Sequence, residues 1–179
     1  IWYLQQMKKE GISLVFSGIP PISVLEKSKV LREIIGIREI VSNEIELTGI
    51  KLFSDFLLGG ETHYIATNKE EEKKQDMQLD VPWFLLKAGA KTYMVGMLED
   101  ETIENEDLPP IIWRYATEES SAYVVNGNYM EDSTGMGILD AIVYEENPYT
   151  LYSIVNAQNL TVSNFPMLAS ENNQKMIDV

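Results

Sequence analysis

The side chains that could carry acid–base or nucleophilic chemistry are few in kind. The chain holds one histidine, His63, and no cysteine. A Ser-His-Asp or Cys-His arrangement would have to use His63, and no G-x-S-x-G segment supplies a nucleophile. The pattern therefore favours a half-buried strand histidine over a catalytic one. The absence of cysteine also excludes disulfides, thiolate nucleophiles and cysteine–zinc sites.

The acidic residues offer many carboxylate pairs but no recognisable metal loop. There are 28 aspartates and glutamates, and none of them forms an Asp-x-Asp-x-Asp-Gly pattern. We therefore predict no metal site and no cofactor, and we interpret acidic runs such as 99–107 as solvated segments. A carboxylate pair of the kind that hydrolyses glycosides stays open as an alternative, because its spacing is a property of the fold.

The most site-like stretch is YVVNGNYMEDSTGMGILDA, residues 123–141. An apolar run ends at an Asn-Gly turn, a polar loop follows, and Gly135-x-Gly137 opens a predicted helix. A dinucleotide-binding loop would have a third glycine where Asp140 stands, and it would follow its strand directly. A Walker loop would need Gly-Lys-Ser/Thr. The stretch thus predicts a strand end and a helix start, where two glycines allow close packing.

A predicted sheet rim gives this stretch its functional interest. Open α/β sheets bind ligands at the carboxyl ends of their strands. We therefore predict a ligand-binding site at the rim, without catalytic residues, formed by Asn126, Asn128, Tyr129, Gly135 and Gly137.

Alternating helical and extended patterns predict one α/β domain over residues 1–179, with antiparallel additions. Residues 1–9 have helical spacing, and ISLVFSG at 12–18 is typical of a buried strand. Ser23 and Glu26 match a capping box for a helix that ends at Gly36. The further predictions are short strands within 37–67, a charged loop at 68–78, strands at 92–98, 111–116, 121–126 and 149–157, and a helix at 135–145.

Charge and hydropathy exclude several classes of partner. A net charge of −14 argues against nucleic acid and anionic membrane surfaces, which attract basic proteins, and permits a cationic partner. No apolar stretch approaches the ~20 residues of a membrane-spanning helix. The chain begins with isoleucine and shows no leader pattern, so we expect a piece of a longer protein whose export signal or anchor lies elsewhere.

Three segments carry a resemblance to a known family: GISLVFSGIPP at 11–21, LREIIGIREI at 31–40, and IIWRYATEESSAYVVNGNYMEDSTGMGILDA at 111–141. They resemble an uncharacterised bacterial family that joins a class I glutamine amidotransferase-like domain to a polysaccharide-deacetylase-like domain. Some members are linked to Pel-type exopolysaccharide systems. The segments are also similar to the trimerisation domain of certain β-galactosidases. The resemblance implies a flavodoxin-like, doubly wound three-layer sandwich, incomplete at its N-terminus.

The resemblance also implies a function. Active amidotransferases of this shape pair a cysteine on a strand-to-helix elbow with a histidine, and this chain has no cysteine. The implied protein is a non-catalytic accessory or scaffold domain, a pseudoenzyme, in a bacterial carbohydrate-processing protein related to exopolysaccharide. Its implied partners are neighbouring domains of the parent chain, including a deacetylase-like one, and a cationic polysaccharide. Its implied location is extracellular or in the cell envelope, within an exported or membrane-associated parent.

Two alternatives from other functional classes make different structural predictions. A carboxylate-based hydrolase or transferase acting on carbohydrate requires a deep pocket with two acids about 5–10 Å apart. A sensor domain for a small ligand requires a closed cavity lined by aromatic side chains.

Overall fold

The computed structural model describes residues 1–53, 56, 62–65, 80–99, 102–131, 133–147 and 149. Over these residues the protein is mixed α/β, as the sequence predicts. The helices are α1 (Trp2–Lys9), α2 (Ile22–Lys27), α3 (Lys29–Ile35) and α4 (Ser133–Glu146). The strands are β1 (Leu14–Phe16), β2 (Ile37–Glu46), β3 (Gly49–Leu52), β4 (Thr62–Ile65), β5 (Asp80–Leu86), β6 (Ala90–Met97), β7 (Pro110–Ala116) and β8 (Ser121–Val125).

Six of the described strands form one sheet, in the order β1-β8-β7-β6-β3-β4. β1 and β8 pair in parallel, whereas the other neighbours in this sheet pair antiparallel. Phe16 lies opposite Val124, so β1 and β8 end at the same edge of the sheet. β2 and β5 form a separate antiparallel pair.

This arrangement corrects part of the expected fold. The α/β class is confirmed, but a flavodoxin-like, doubly wound sheet would be parallel, and the described pairs are antiparallel apart from β1 with β8. The short connections explain the difference. Residues 117–120 alone join β7 to β8, and a parallel crossover needs a dozen or more residues, usually including a helix. β7 and β8 can therefore form only a hairpin.

β5 is a strand that the sequence patterns did not predict. It starts at Asp80 and contains Pro82, and both residue types are uncommon inside strands. A two-stranded sheet tolerates the proline, because each strand has a free edge toward which a missing N–H costs nothing. Of the other predictions, the charged loop at 68–78 and the strand at 149–157, apart from Tyr149, lie outside the described residues.

The predicted second helix is split in two at Ser28. Ser23 lies inside α2 and caps nothing, whereas the Ser28 hydroxyl accepts a hydrogen bond from the Leu31 amide at 3.2 Å and caps α3. Gly36 ends α3 in the left-handed conformation, as predicted, with φ of 77°. The Tyr115 ring lies only 2.5 Å from the place that a Cβ would take here, so both the positive φ and this close contact require glycine.

Buried side chains cover both faces of the main sheet. On one face, Trp113 and Val124 pack with α3, and the Trp113 indole N–H donates to the Ile35 carbonyl at 2.8 Å. On the other, Tyr123 and its neighbours pack with the buried side of α4. Neighbouring positions along β7 and β8 alternate between the two faces because the side-chain period of a strand is two. The long helix α4 thereby crosses this face of the sheet, from the loop after β8, where Gly135 meets Met130, to the start of β1, where the Ser13 hydroxyl donates to Glu146.

Candidate functional site

An open groove lies where β1 and β8 end. β1 leads into residues 17–21 and β8 into residues 126–131, and both segments contribute residues to the lining. The groove has a volume of about 350 Å³, toward the lower end of the range for small-molecule sites. Its position is the one expected for a ligand site in an α/β sheet, outside the carboxyl ends of parallel strands.

The groove is lined by both apolar and polar side chains. The apolar lining consists of Ile19, Pro20, Pro21, Ile22 and Pro82. The polar side chains that line it are three amides and one carboxylate: Asn43, Asn126, Asn128 and Glu131. Among the described lining residues there is no lysine, arginine or histidine. The lining therefore carries a charge of −1 when the glutamate is ionised.

Asn126 ties the groove to the two sheets. Its side chain is fully buried, and its Nδ2 donates to the Pro82 carbonyl at 2.9 Å and to the Pro110 carbonyl at 3.0 Å. Its backbone N–H donates to the Ile111 carbonyl at 2.7 Å. One residue thus links β8 to β7 and to β5 of the second sheet. Within the described part of the chain, its Oδ1 is buried with no hydrogen-bond partner.

The structure separates the five predicted site residues. Asn126 and Asn128 line the groove, whereas Tyr129, Gly135 and Gly137 are not among its lining residues. Tyr129 is buried in the core beside α4, and burial raises the pKa of its hydroxyl to about 12. Gly135 is buried against Met130, whose carbonyl oxygen lies only 2.7 Å from the place of a Cβ.

Of the two glycines, only Gly135 has the predicted packing role. Gly137 is exposed, and nothing lies within 4 Å of the position that a Cβ would take. The close approach at Gly135 brings the start of α4 against the loop that forms the groove wall. Gly135 therefore shapes the site through backbone packing rather than through a contact with the groove.

His63 lies in β4, at the opposite edge of the main sheet from β1. Four strand spacings separate β4 from β8, which is roughly 19 Å at about 4.8 Å each. Its strand is therefore remote from the groove. Among the described residues, no group of three or more His, Cys, Asp or Glu side chains is arranged to hold a metal ion.

A second polar cluster, which we call the α4 carboxylate cluster, joins the end of α4 to the sheet. Its carboxylates are Glu145 and Glu146. Glu145 accepts a hydrogen bond from the Tyr93 hydroxyl and lies 3.4 Å from Arg114 Nη1. Glu146 accepts from Tyr123 at 2.8 Å, and its Oε1 lies 3.6 Å from Arg114 Nη2. Carboxylates are unfavourable at a helix C-terminus, so these donors offset the helix dipole.

The ionisation of this cluster fits a structural role. Burial alone would raise the pKa of Glu146, but hydrogen bonds from Ser13 and Tyr123 and the charge of Arg114 outweigh burial and lower it. Burial and the hydrogen bond to Glu145 raise the pKa of Tyr93 well above its ordinary value. Glu146 is thus held ionised, whereas a general acid near neutral pH needs a raised carboxyl pKa.

Sequence reasoning missed this cluster and half of the groove. Two successive glutamates in the last turn of a predicted helix were an available signal, since they oppose the helix dipole and call for cationic partners. The wall formed by residues 18–22, with Asn43 and Pro82, had no such signal, because those residues come from three separate segments.

A larger open cleft, about 580 Å³ in volume, lies beside the turn between β5 and β6. Its charged lining residues are mixed in sign: Arg38, Lys87, Glu106 and Asp107. None of the predicted site residues lines it. Among the described residues, no helix combines the length and apolar character required to cross a membrane.

Comparison with known proteins gives one distant structural likeness. No family model matches this chain, and no curated protein matches it. One similar solved structure is "Cytoplasmic Protein STM1381 from Salmonella typhimurium LT2", with 15% sequence identity and a TM-score of 0.43. The match covers 77% of this chain and 54% of that one, so this chain spans about half the length of the solved structure.

The predicted location requires correction. The similar solved structure is named as a cytoplasmic protein, which contradicts the extracellular or cell-envelope location expected from the sequence. We therefore withdraw that prediction, although so distant a likeness assigns no other compartment to this chain. The prediction was based on the resemblance, which is not a targeting signal.

Proposed function

We propose that this chain is a non-catalytic, amidotransferase-like accessory or scaffold domain of a bacterial carbohydrate-processing protein related to exopolysaccharide. It contacts polysaccharide and orients a neighbouring domain, for which a deacetylase-like enzyme is the first candidate. One observation carries the proposal: the groove at the rim combines apolar surface with three asparagine amides and a single carboxylate among its described lining residues. Such a lining suits binding of hydroxyl groups better than bond cleavage.

The hydrolase alternative has less support in the described residues. It needs two carboxylates facing one pocket, and Glu131 is the one acidic residue among those described along the groove. Glu145 and Glu146 lie side by side, but they are occupied by the tyrosine and arginine partners that hold α4 on the sheet. Neither of them lines the groove or the larger cleft.

The sensor alternative also has less support. It needs a closed cavity with aromatic walls, and the described lining of the groove contains no aromatic ring. The flavodoxin-like details of the fold stay a prediction of the resemblance. The proposal does not depend on them, because it is based on the residues that line the groove.

Binding of a cationic glycan tests the proposal. The net charge of −14 favours a partly deacetylated, positively charged chain. We expect a partly deacetylated glucosamine oligosaccharide to bind at low salt in isothermal titration calorimetry, with affinity that falls as salt screens the charges. Absence of binding at low salt would refute the glycan contact. Release of new reducing ends by the purified chain would support the hydrolase alternative instead.

A further inference from the structure

The side-chain amide of Asn126 is fixed in one orientation. Both hydrogens of its NH₂ group are used, since Nδ2 donates to the Pro82 and Pro110 carbonyls. Rotating the amide by 180° would place Oδ1 against two carbonyl oxygens and would lose both bonds. The orientation that leaves Oδ1 without a partner is therefore the only one that satisfies Nδ2.

A buried acceptor without a partner is costly. Such a group has lost its hydrogen bonds to water without a replacement, and Asn126 is fully buried with Oδ1 closed to solvent. The same residue lines the groove. Because Oδ1 is closed to solvent, a ligand in the groove reaches it only if the wall shifts locally, whereas Asn128 and Glu131 line the same groove and are accessible.

The rest of the lining favours the same kind of ligand. The three prolines that line the groove, Pro20, Pro21 and Pro82, have no backbone N–H to offer an anion. Glu131 adds a negative charge, and no cationic side chain lies among the described lining residues. A phosphate or carboxylate would thus meet a carboxylate without a compensating positive charge.

We infer that this groove is the site at which the domain holds its glycan, and that it selects a saccharide bearing hydroxyl or ammonium donors over an anionic one. The inference rests on the proposed carbohydrate contact and adds to it the site and its selectivity. The ligand's hydroxyl or ammonium groups donate to Asn128 and Glu131, while the C–H face of a sugar ring packs on the proline and isoleucine side chains of the lining.

The test compares two probes on four forms of the chain. The probes are a glucosamine trisaccharide, which is cationic, and a trigalacturonate, which is anionic. The forms are the wild type, Asn128→Ala, Glu131→Gln, and the control Glu106→Gln, which neutralises a carboxylate at the other cleft. Asn128 is half-buried and Glu131 exposed, so both variants should fold, as circular dichroism would verify.

We expect the glucosamine trisaccharide to bind the wild type and the control equally, and each groove variant at least 5-fold more weakly. The trigalacturonate should not bind any form. Unchanged affinity in both groove variants would overturn the site while leaving the glycan contact in place. Binding of trigalacturonate that Glu131→Gln strengthens would keep the site but overturn its selectivity. Absence of binding by either probe would overturn this inference and the proposed function together.

Discussion

Replacing Asn126 by aspartate tests the role of this residue most directly. The substitution keeps the side-chain shape but removes the NH₂ group that donates to the Pro82 and Pro110 carbonyls. As a neutral acid, the new group can donate to one of these carbonyls at most. At about 1 kcal/mol net per hydrogen bond, we expect a loss of roughly 1–2 kcal/mol in the free energy of unfolding near pH 4.

The loss should grow as the pH rises. The introduced carboxyl would be fully buried beside two carbonyl oxygens, so its pKa in the folded state must exceed the unfolded value of about 3.9. Between those two pKa values the folded state binds more protons, and stability falls with rising pH. Each unit of elevation adds about 1.4 kcal/mol, so an elevation of about three units adds roughly 4 kcal/mol by pH 7.

Urea unfolding at several pH values between 4 and 8 measures this effect relative to the wild type. The matched control is Asn128→Asp, two residues along the same loop and half-buried, which should change stability by less than about 0.5 kcal/mol. A difference between Asn126→Asp and the wild type that stays constant over this pH range would refute the account of a closed, unpartnered environment at Asn126.

Two further substitutions address the packing and the charge around α4. Gly135→Ala should destabilise the protein by about 1–3 kcal/mol in thermal or urea unfolding, because a Cβ would lie 2.7 Å from the Met130 carbonyl oxygen. In the control Gly137→Ala the new Cβ has open space at the same helix end, so this variant should be neutral or stabilising by up to about 1 kcal/mol. An equal loss of stability in both variants would contradict the packing role of Gly135. The pKa of Glu146 is lowered, so its ionised form stabilises the fold above the unfolded pKa, and this contribution is lost as the pH falls through the folded value. Glu146→Gln should therefore lower the free energy of unfolding at pH 7 by up to about 1 kcal/mol, a small value because solvent screens this partly exposed carboxylate. It should also weaken the loss of stability below about pH 4.5. The control Glu118→Gln, at an exposed site, should change neither the stability at pH 7 nor its acid dependence.

Local patterns were sufficient for the class of the fold. The strands at 111–116 and 121–126 were predicted because β-branched and aromatic residues are concentrated there, and the turn at Gly36 because only glycine readily adopts a positive φ. The helix at 135–145 was predicted from its glycine-led start and apolar spacing, and α4 spans it. Each of these features depends on neighbours within a few positions of the chain.

The direction of strand pairing and the make-up of the site depended on contacts between distant residues. Asn126 was predicted at a rim, but its partners Pro82 and Pro110 lie 44 and 16 positions away, and Pro82 belongs to β5, which was not predicted. Tyr129 was placed in the site by proximity in sequence, yet packing turns its side chain into the core beside α4.

Composition and local pattern therefore determined which residue types were available: one histidine, no cysteine, and an amide-rich loop after an apolar strand. Tertiary structure decided which of them share a surface. Burial supplies the physical reason, since the hydrogen bonds and close contacts that fix Asn126 and Gly135 exist only once β5, β7 and α4 are packed together.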